Sequence, residues 1–281
     1  INAAGRMDHA SLALELLLEK DLNKGEKLAE KIEKLNLKRR EIEKNITEQA
    51  LKKIANENNP RSNSTVVFEN SWNKGVIGIV ASRIIEEHYK PTIVFCKSKD
   101  GNLTGSARSI KGIDLYEILE ECKTSILRFG GHKYAAGLTI EKSNYISFKK
   151  SFEKAVKNYV KNKLPVKEIK IESKITLDSI TPKFFRILNQ FEPHGPGNER
   201  PIFLSEHLSL KGELSKVGKN KEHLRLSVTQ NVAKTFSAIG FWLSEKETKI
   251  SPNSTFSMLY TIDENKWNGI TSIQLKIKDI K

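Results

Sequence analysis

The spacing of hydrophobic positions changes several times along the chain, and each change predicts a different kind of element. Asp8 is placed to cap a helix whose apolar residues are Leu12, Leu14, Leu16, Leu17 and Leu18. Apolar side chains fall on nearly every side of this helix, so it needs something to pack against. From Lys24 to Glu57 the pattern narrows to one stripe. Leu28, Ile32, Leu35, Ile42, Ile46, Ala50 and Ile54 recur every three, four or seven positions among Lys and Glu. At about 1.5 Å per residue such a helix is roughly 50 Å long. A single narrow stripe with no second copy fits a strut between domains, with a coiled coil as the alternative. Asn58-Asn59-Pro60 ends the pattern.

Strands and helices then alternate. Thr65 to Phe68 reads as a strand, Val76 to Tyr89 as a helix and Pro91 to Phe95 as a buried strand. Asp100-Gly101 turns the chain into Leu103-Thr104-Gly105-Ser106. Asp114 caps a helix to about Leu127, Ala135 to Ile140 returns as a strand, and Ser143 caps an amphipathic helix through Val160. From Pro165 the period becomes two, in Ile169-Ile171-Ile175, Leu208-Leu210-Leu214, Leu224-Leu226-Val228, Phe236-Ala238, Phe256-Met258-Tyr260-Ile262 and Ile273-Leu275-Ile277. One short helix, Pro182 to Gln190, interrupts these strands. Such a run suggests a small closed barrel of the oligonucleotide-binding (OB) type, with a generic β-sandwich as the alternative. The expected fold class is therefore α/β plus all-β. A long connecting helix over residues 21–59 follows a short segment, 1–20, and leads to a small α/β domain over 60–163. An OB-fold β-barrel over 164–281 completes the chain.

Composition narrows the class of function. Among 281 residues, 38% are hydrophobic and 29% charged, as in a soluble globular protein. No apolar run approaches the roughly 20 residues of a bilayer-spanning helix, so neither membrane insertion nor a membrane partner is expected. The net charge of +14, from 48 basic and 34 acidic residues, favours a polyanionic partner. A lysine-rich coding bias produces the same excess without one. Cys96 and Cys122 lie in no metal-ligand spacing, which fits a reducing, cytoplasmic location and argues against a disulfide framework. The opening Ile1-Asn2-Ala3-Ala4-Gly5-Arg6 has neither Met nor a signal-peptide pattern and reads as a chain cut from a longer protein.

Three segments carry candidate chemistry. In Gly130-Gly131-His132-Lys133-Tyr134-Ala135-Ala136-Gly137, adjacent glycines can turn successive N–H groups towards an anion, with His132 donating to the same oxygens. A helix-ending glycine followed by a solvent-facing histidine is the other reading. Gly105-Ser106-Ala107-Arg108-Ser109 ends a strand, and alternation puts Ser106 and Arg108 on one side, where both can hold a phosphate. In Trp72-Asn73-Lys74-Gly75-Val76-Ile77-Gly78-Ile79-Val80-Ala81, the small residues let a helix pack closely on a sheet, and Trp72 is available to stack on a base. In the barrel region Lys211, Lys216, Lys219, Lys221 and Arg225 cluster on one hairpin, with Trp242, Tyr260 and Trp267 as available aromatics. Core packing and solubility account for these residues one at a time; as a group they suit a single nucleic-acid strand.

The order INAAGR, long helix, W-x-x-GVIGIVASR, GSARS and FGGH-x-x-AAG closely resembles the RecJ family of the DHH phosphoesterase superfamily. Phe191-Glu192-Pro193-His194-Gly195-Pro196-Gly197-Asn198-Glu199-Arg200-Pro201-Ile202-Phe203 is similar to that family's glycine-rich element before its OB barrel, with His194 where Phe is frequent and Glu199-Arg200-Pro201 departing slightly from its usual ending. The resemblance implies that residues 1–20 are the end of a DHH catalytic domain and that 60–163 are a DHH-associated domain. Asn2 and Arg6 would border the catalytic cleft. Ser106 and Arg108 would grip a 5′-terminal phosphate, Ser109 would join them among the substrate-binding residues, and Gly130, Gly131 and His132 would contact the phosphate near the scissile bond. The implied activity is two-metal, 5′-to-3′ exonucleolytic hydrolysis of single-stranded DNA during repair and recombination. Mn2+ or Mg2+ would be held by residues outside this chain, since Asp8-His9-Ala10 lacks the second histidine of an Asp-His-His triplet. On this reading the chain by itself binds DNA as a monomer without cleaving it. A helicase and a single-strand-binding protein are the further partners implied. Alternatives are an oligoribonuclease or cyclic-dinucleotide phosphodiesterase of the same superfamily, and a non-catalytic single-strand-binding protein.

Overall fold

The structure, a computed structural model, describes residues 1–57, 59, 61–161, 163–231, 234–251, 254–267 and 269–281, without the side chains of Trp267 and Ile270. It divides into two compact units, Ile1–Lys167 and Glu168–Lys281. Among the described residues no helix is long and apolar enough to cross a membrane.

The first unit opens with α1 (Asn2–Met7) and α2 (Ser11–Leu18), followed by α3, a helix of 36 residues over Leu22–Glu57. Asp8 terminates α1, its N–H bonded to the Ala4 carbonyl, and α2 starts at Ala10 without a side-chain cap. The hydrophobic stripe of α3 is used up inside this unit. Its first half, Leu28, Ile32 and Leu35, packs on Ala4, Leu12 and Leu16. Its second half, Ile42, Ile46, Ala50 and Ile54, packs on Trp72, Val76, Ile77, Val80 and Ile84. With both halves covered, α3 is a strut. Where Arg39 meets Glu43, Arg83 reaches the same carboxylate at 3.2 Å and ties α3 to the next helix.

Beyond α3 come β1 (Thr65–Glu69), α4 (Ile77–His88), β2 (Thr92–Lys97), β3 (Leu103–Arg108), α5 (Leu115–Glu121), β4 (Arg128–His132), β5 (Ala135–Ile140) and α6 (Tyr145–Tyr159). Asp114 caps α5 as its sequence predicts, accepting from the Tyr116 and Glu117 N–H groups. The sheet order is β1-β2-β3-β5-β4, so β4 is an edge strand. One face of the sheet, through Ile93, Phe95, Leu103, Ala107 and Leu138, packs on α5 and α6 around Ile118, Phe148 and Phe152. The other, through Val67, Val94 and Cys96, packs on α4 and the second half of α3.

The second unit holds β6 (Ser173–Lys174), α7 (Pro182–Asn189), β7 (Phe203–Leu210), β8 (Ser215–Val217), β9 (His223–Gln230), β10 (Lys234–Gly240), β11 (Phe256–Trp267) and β12 (Ile270–Ile280). Strands β7, β11, β12, β10 and β9 pair in that order, and a β7–β9 pairing returns to the start. The ring is closed. β10 and β12 are parallel and the other pairs in the ring antiparallel, the pairing of a five-stranded OB barrel. Phe256, Met258, Tyr260 and Ile262 alternate inward along β11 to meet Leu208, Leu226, Val228 and Leu275. Only a two-residue strand forms at Ser173–Lys174, where Ile169 to Ile175 reads as a longer one, and Ile171 remains exposed.

Candidate nucleic-acid interface

On the sheet face covered by α3 and α4, α3 lies against β1 and α4 against β2 and β3, with Gly78 of its first turn beside Ser106 and Arg108. Beyond that turn the sheet carries small or polar residues in register. Thr104, Ser106 and Arg108 of β3 stand beside Thr139, Gly137 and Ala135 of β5, and these beside Arg128, Gly130 and His132 of β4. The uncovered area, the start of α4 and Arg6 of α1 bound a cleft of about 450 Å³. Gly78 makes the close approach. A Cβ there would stand 2.8 Å from Arg108 Nη2 and 2.9 Å from Ser106 Oγ, so any larger residue displaces both groups.

The charge of this cleft has one sign. Among the described residues Arg6, Lys74, Arg108 and Arg128 line it, and no Asp or Glu does. Arg108 is half-buried, and its Nη1 donates to Ser106 Oγ at 3.1 Å and to the Ala107 carbonyl at 2.8 Å. Burial, and then the nearby Arg6 charge, pull the Arg108 pKa below its ordinary value. Arg6 Nη1 donates to the Gly75 carbonyl at 3.2 Å, and Arg128 Nε to Thr139 Oγ1 at 3.3 Å. Among the described residues none of the four is ion-paired, whereas Arg39, Arg83 and Arg200 each hold a carboxylate. Four uncompensated cations beside the positive end of α4 make a ready site for an anion.

The other residues singled out from the motifs divide. His132 shares its sheet face with Arg108, and its Nδ1 accepts from the Tyr134 N–H at 3.3 Å. Gly130 lines the cleft, but it and Gly131 form no turn-shaped nest; both lie in β4, opposite Gly137 and Ala136. Gly131 is required by proximity, since a Cβ there would lie 2.3 Å from the Ala135 carbonyl oxygen. Ser109 faces away into the following loop, where its Oγ donates to the Ile113 carbonyl. Asn2, one turn before Arg6 on α1, is exposed and does not line the cleft. Trp72 is not free to stack on a base: it is 4% exposed and its Nε1 donates to Gln49 of α3 at 2.9 Å.

On the barrel, β8 and β9 form the basic hairpin, with Ser215 opposite Arg225. Lys211, Lys219, Lys221 and Arg225 are exposed, while Lys216 pairs with Glu247. Tyr260 belongs to the core. Its hydroxyl meets Ser205 Oγ at 2.7 Å, and burial pushes its pKa up to about 12. Trp242 is 74% exposed; the Trp267 side chain lies outside the described residues.

Known proteins match this arrangement along the whole chain. Residues 34–161 match the DHHA1 domain family, and residues 171–279 match the RecJ OB domain family. Over 282 residues, 99% of the chain, it is 32% identical to the single-stranded-DNA-specific exonuclease RecJ of Bacillus subtilis. It is 30% identical over 291 residues to the RecJ of Escherichia coli. The crystal structure of Thermus thermophilus RecJ in complex with Mn2+ superposes on 100% of the chain with a TM-score of 0.81 at 27% identity. The chain belongs to the RecJ family. It spans 35% of the length of the Bacillus relative, 49% of the Escherichia relative and 40% of the Thermus structure.

RecJ of Thermus thermophilus has been solved with Mn2+ and with Mg2+. Among the described residues of this chain no three His, Cys, Asp or Glu side chains gather as a metal site. The cleft, lined by cations, does not fit a divalent metal. Two of its cations were not among the expected site residues. Lys74 sits inside the W-x-x-G motif, and Arg128 lies two residues before Gly130 and four before His132, on the same face of β4. That signal is usable only once FGGH is read as a strand.

Proposed function

We propose that this RecJ-family chain is the substrate-gripping portion of a single-stranded-DNA-specific 5′-to-3′ exonuclease of DNA repair and recombination. The observation that carries the reading is the cleft of Arg6, Lys74, Arg108 and Arg128, with Ser106 and Gly130, and with no carboxylate among the described residues lining it. A terminal phosphate with two negative charges would replace the missing counter-ions. Ser106 Oγ and the Arg108 guanidinium, already 3.1 Å apart, would bind neighbouring oxygens of one phosphate. Gly130 and Gly137, with no side chains, let a sugar-phosphate backbone lie on the sheet beside them, within reach of Arg128 and His132.

The OB barrel would bind single strands through Lys211, Lys219, Lys221 and Arg225, with little base preference. Hydrolysis by two divalent metals is assigned in this proposal to residues outside the 281-residue chain. A helicase and a single-strand-binding protein belong to the same proposal as partners of the whole enzyme.

The test is to incubate the 281-residue chain with labelled single-stranded DNA, with and without Mn2+, and to follow binding and cleavage together. Binding without cleavage is expected. Robust Mn2+-dependent turnover contradicts the assignment of catalysis elsewhere, and failure to bind at low salt contradicts the gripping role.

A further inference from the structure

Where β10 ends, two large aromatic side chains stand in solvent: Phe241 is 49% exposed and Trp242 74%. They are nonetheless held in place. The His223 ring of β9 lies 5.1 Å from Phe241 at 73° and 5.0 Å from Trp242 at 86°, both edge-on contacts. The Trp242 N–H donates to His223 Nδ1 at 3.2 Å, leaving Nε2, 3.7 Å from Glu222 Oε1, to carry the proton. Trp242 also has φ +60°, a left-handed backbone that a bulky residue adopts only at a cost. The fold thus fixes a strained tryptophan whose ring gains little from burial.

Its surroundings indicate a ligand. From His223 the outward row on β9 runs through Arg225 and Ser227, opposite Ile239 and Ser237 of β10. Gln274 of β12 donates to Ser237 Oγ at 3.1 Å. Hydroxyls, an amide and a guanidinium across the neighbouring strands β9, β10 and β12 suit a sugar-phosphate backbone, and an exposed indole at the end of the β9 row suits a base.

We propose that Trp242, supported by His223 and Phe241, is a base-stacking platform that takes one unpaired nucleobase of the bound strand. This rests on the single-strand-binding function proposed above. An internal duplex base is already stacked on both faces, whereas a single strand offers a free one.

The test uses the 281-residue chain and two ligands, a thymidine oligonucleotide and an abasic deoxyribose-phosphate strand of equal length. Trp242→Ala is expected to weaken thymidine binding about ten-fold and to leave abasic binding unchanged, while Trp242→Phe keeps most of the affinity. Trp242→Gly, which relieves the left-handed backbone, is expected to melt no lower than the wild type and still to show the ten-fold weakening. Unchanged thymidine binding by Trp242→Ala overturns the platform and leaves the single-strand-binding function standing. Equal losses on both ligands, or a Phe variant as weak as Ala, also overturn it. A wild type that binds neither strand overturns the underlying function and the platform with it.

Discussion

The cleft on the α/β sheet and the basic hairpin of the barrel are both rich in Lys and Arg, yet they present their charge differently. In the cleft, four cations from α1, the segment before α4, β3 and β4 line one volume without a carboxylate. One of them, Arg108, is half-buried and repelled by another. On the hairpin the cations are spread over the surface, and Lys216 is tied to Glu247. Elsewhere in the barrel Lys276 pairs with Asp263, Lys246 with Asp279 and Arg200 with Glu192. A net charge of +14 therefore locates nothing by itself. What supports the proposed phosphate site is convergence without counter-ions, held against the cost of burial and repulsion.

Breaking the cleft should have the largest consequence. Arg108→Ala is expected to cost about 2 kcal/mol of binding to a 5′-phosphorylated strand, roughly 30-fold in Kd, because it removes a charge-assisted pair of hydrogen bonds to the phosphate. Equilibrium titration at fixed salt measures it. Because Arg108 is desolvated and faces Arg6, the variant should melt no lower than the wild type; a clear drop in Tm would recast Arg108 as structural.

Carboxylates that serve the fold sit elsewhere in the same unit. Glu153 accepts from the Asn63 and Ser64 N–H groups at 2.8 and 2.9 Å and from the Ser62 hydroxyl at 3.0 Å. Burial alone would raise its pKa, but these bonds together with the Ser64 hydroxyl and Asn63 amide outweigh it and hold it below the ordinary glutamate value. Its stabilising contribution is thus complete above the ordinary glutamate value and lost as pH falls through the lower folded value. Glu153→Gln should cost about 2 kcal/mol at neutral pH and flatten acid unfolding in that range, as followed by circular dichroism.

Smaller effects are expected on the barrel. Neutralising Lys219 and Lys221 to Gln should weaken single-strand binding only a few-fold and lower the salt slope by about 1.4, near 0.7 for each phosphate no longer neutralised. An unchanged slope would remove these lysines from the interface. The smallest effect belongs to an exposed pair: Lys216→Met should change stability by at most about 0.5 kcal/mol in thermal or urea unfolding.

Much of this division is legible in the sequence, because it follows from local period. The stripe of α3, the alternation of β3 that turns Ser106 and Arg108 to one side, and the close packing at Gly78 all appear before the fold does. The same alternation that makes β11 a strand also sends Tyr260 inward with Met258 and Ile262, so its burial could have been read beforehand. Arg128 and Lys74 could not be read as site residues, because their placement depends on long-range pairing. β4 carries two glycines, which lower strand propensity and imitate a turn, so Arg128 joins the site only once β4 pairs with β5 and β5 with β3. Trp72 resembles a free aromatic until α3 packs beside it and Gln49 accepts its N–H.

The most direct test of the central claim is a paired titration of the 281-residue chain with one oligonucleotide bearing either a 5′-phosphate or a 5′-hydroxyl. The wild type is predicted to prefer the phosphorylated strand by about ten-fold at low salt, and Arg108→Ala to bind the two alike. Equal affinity of the wild type for both ends, or a preference that survives in Arg108→Ala, would contradict the assignment of the unpaired cations to a terminal phosphate.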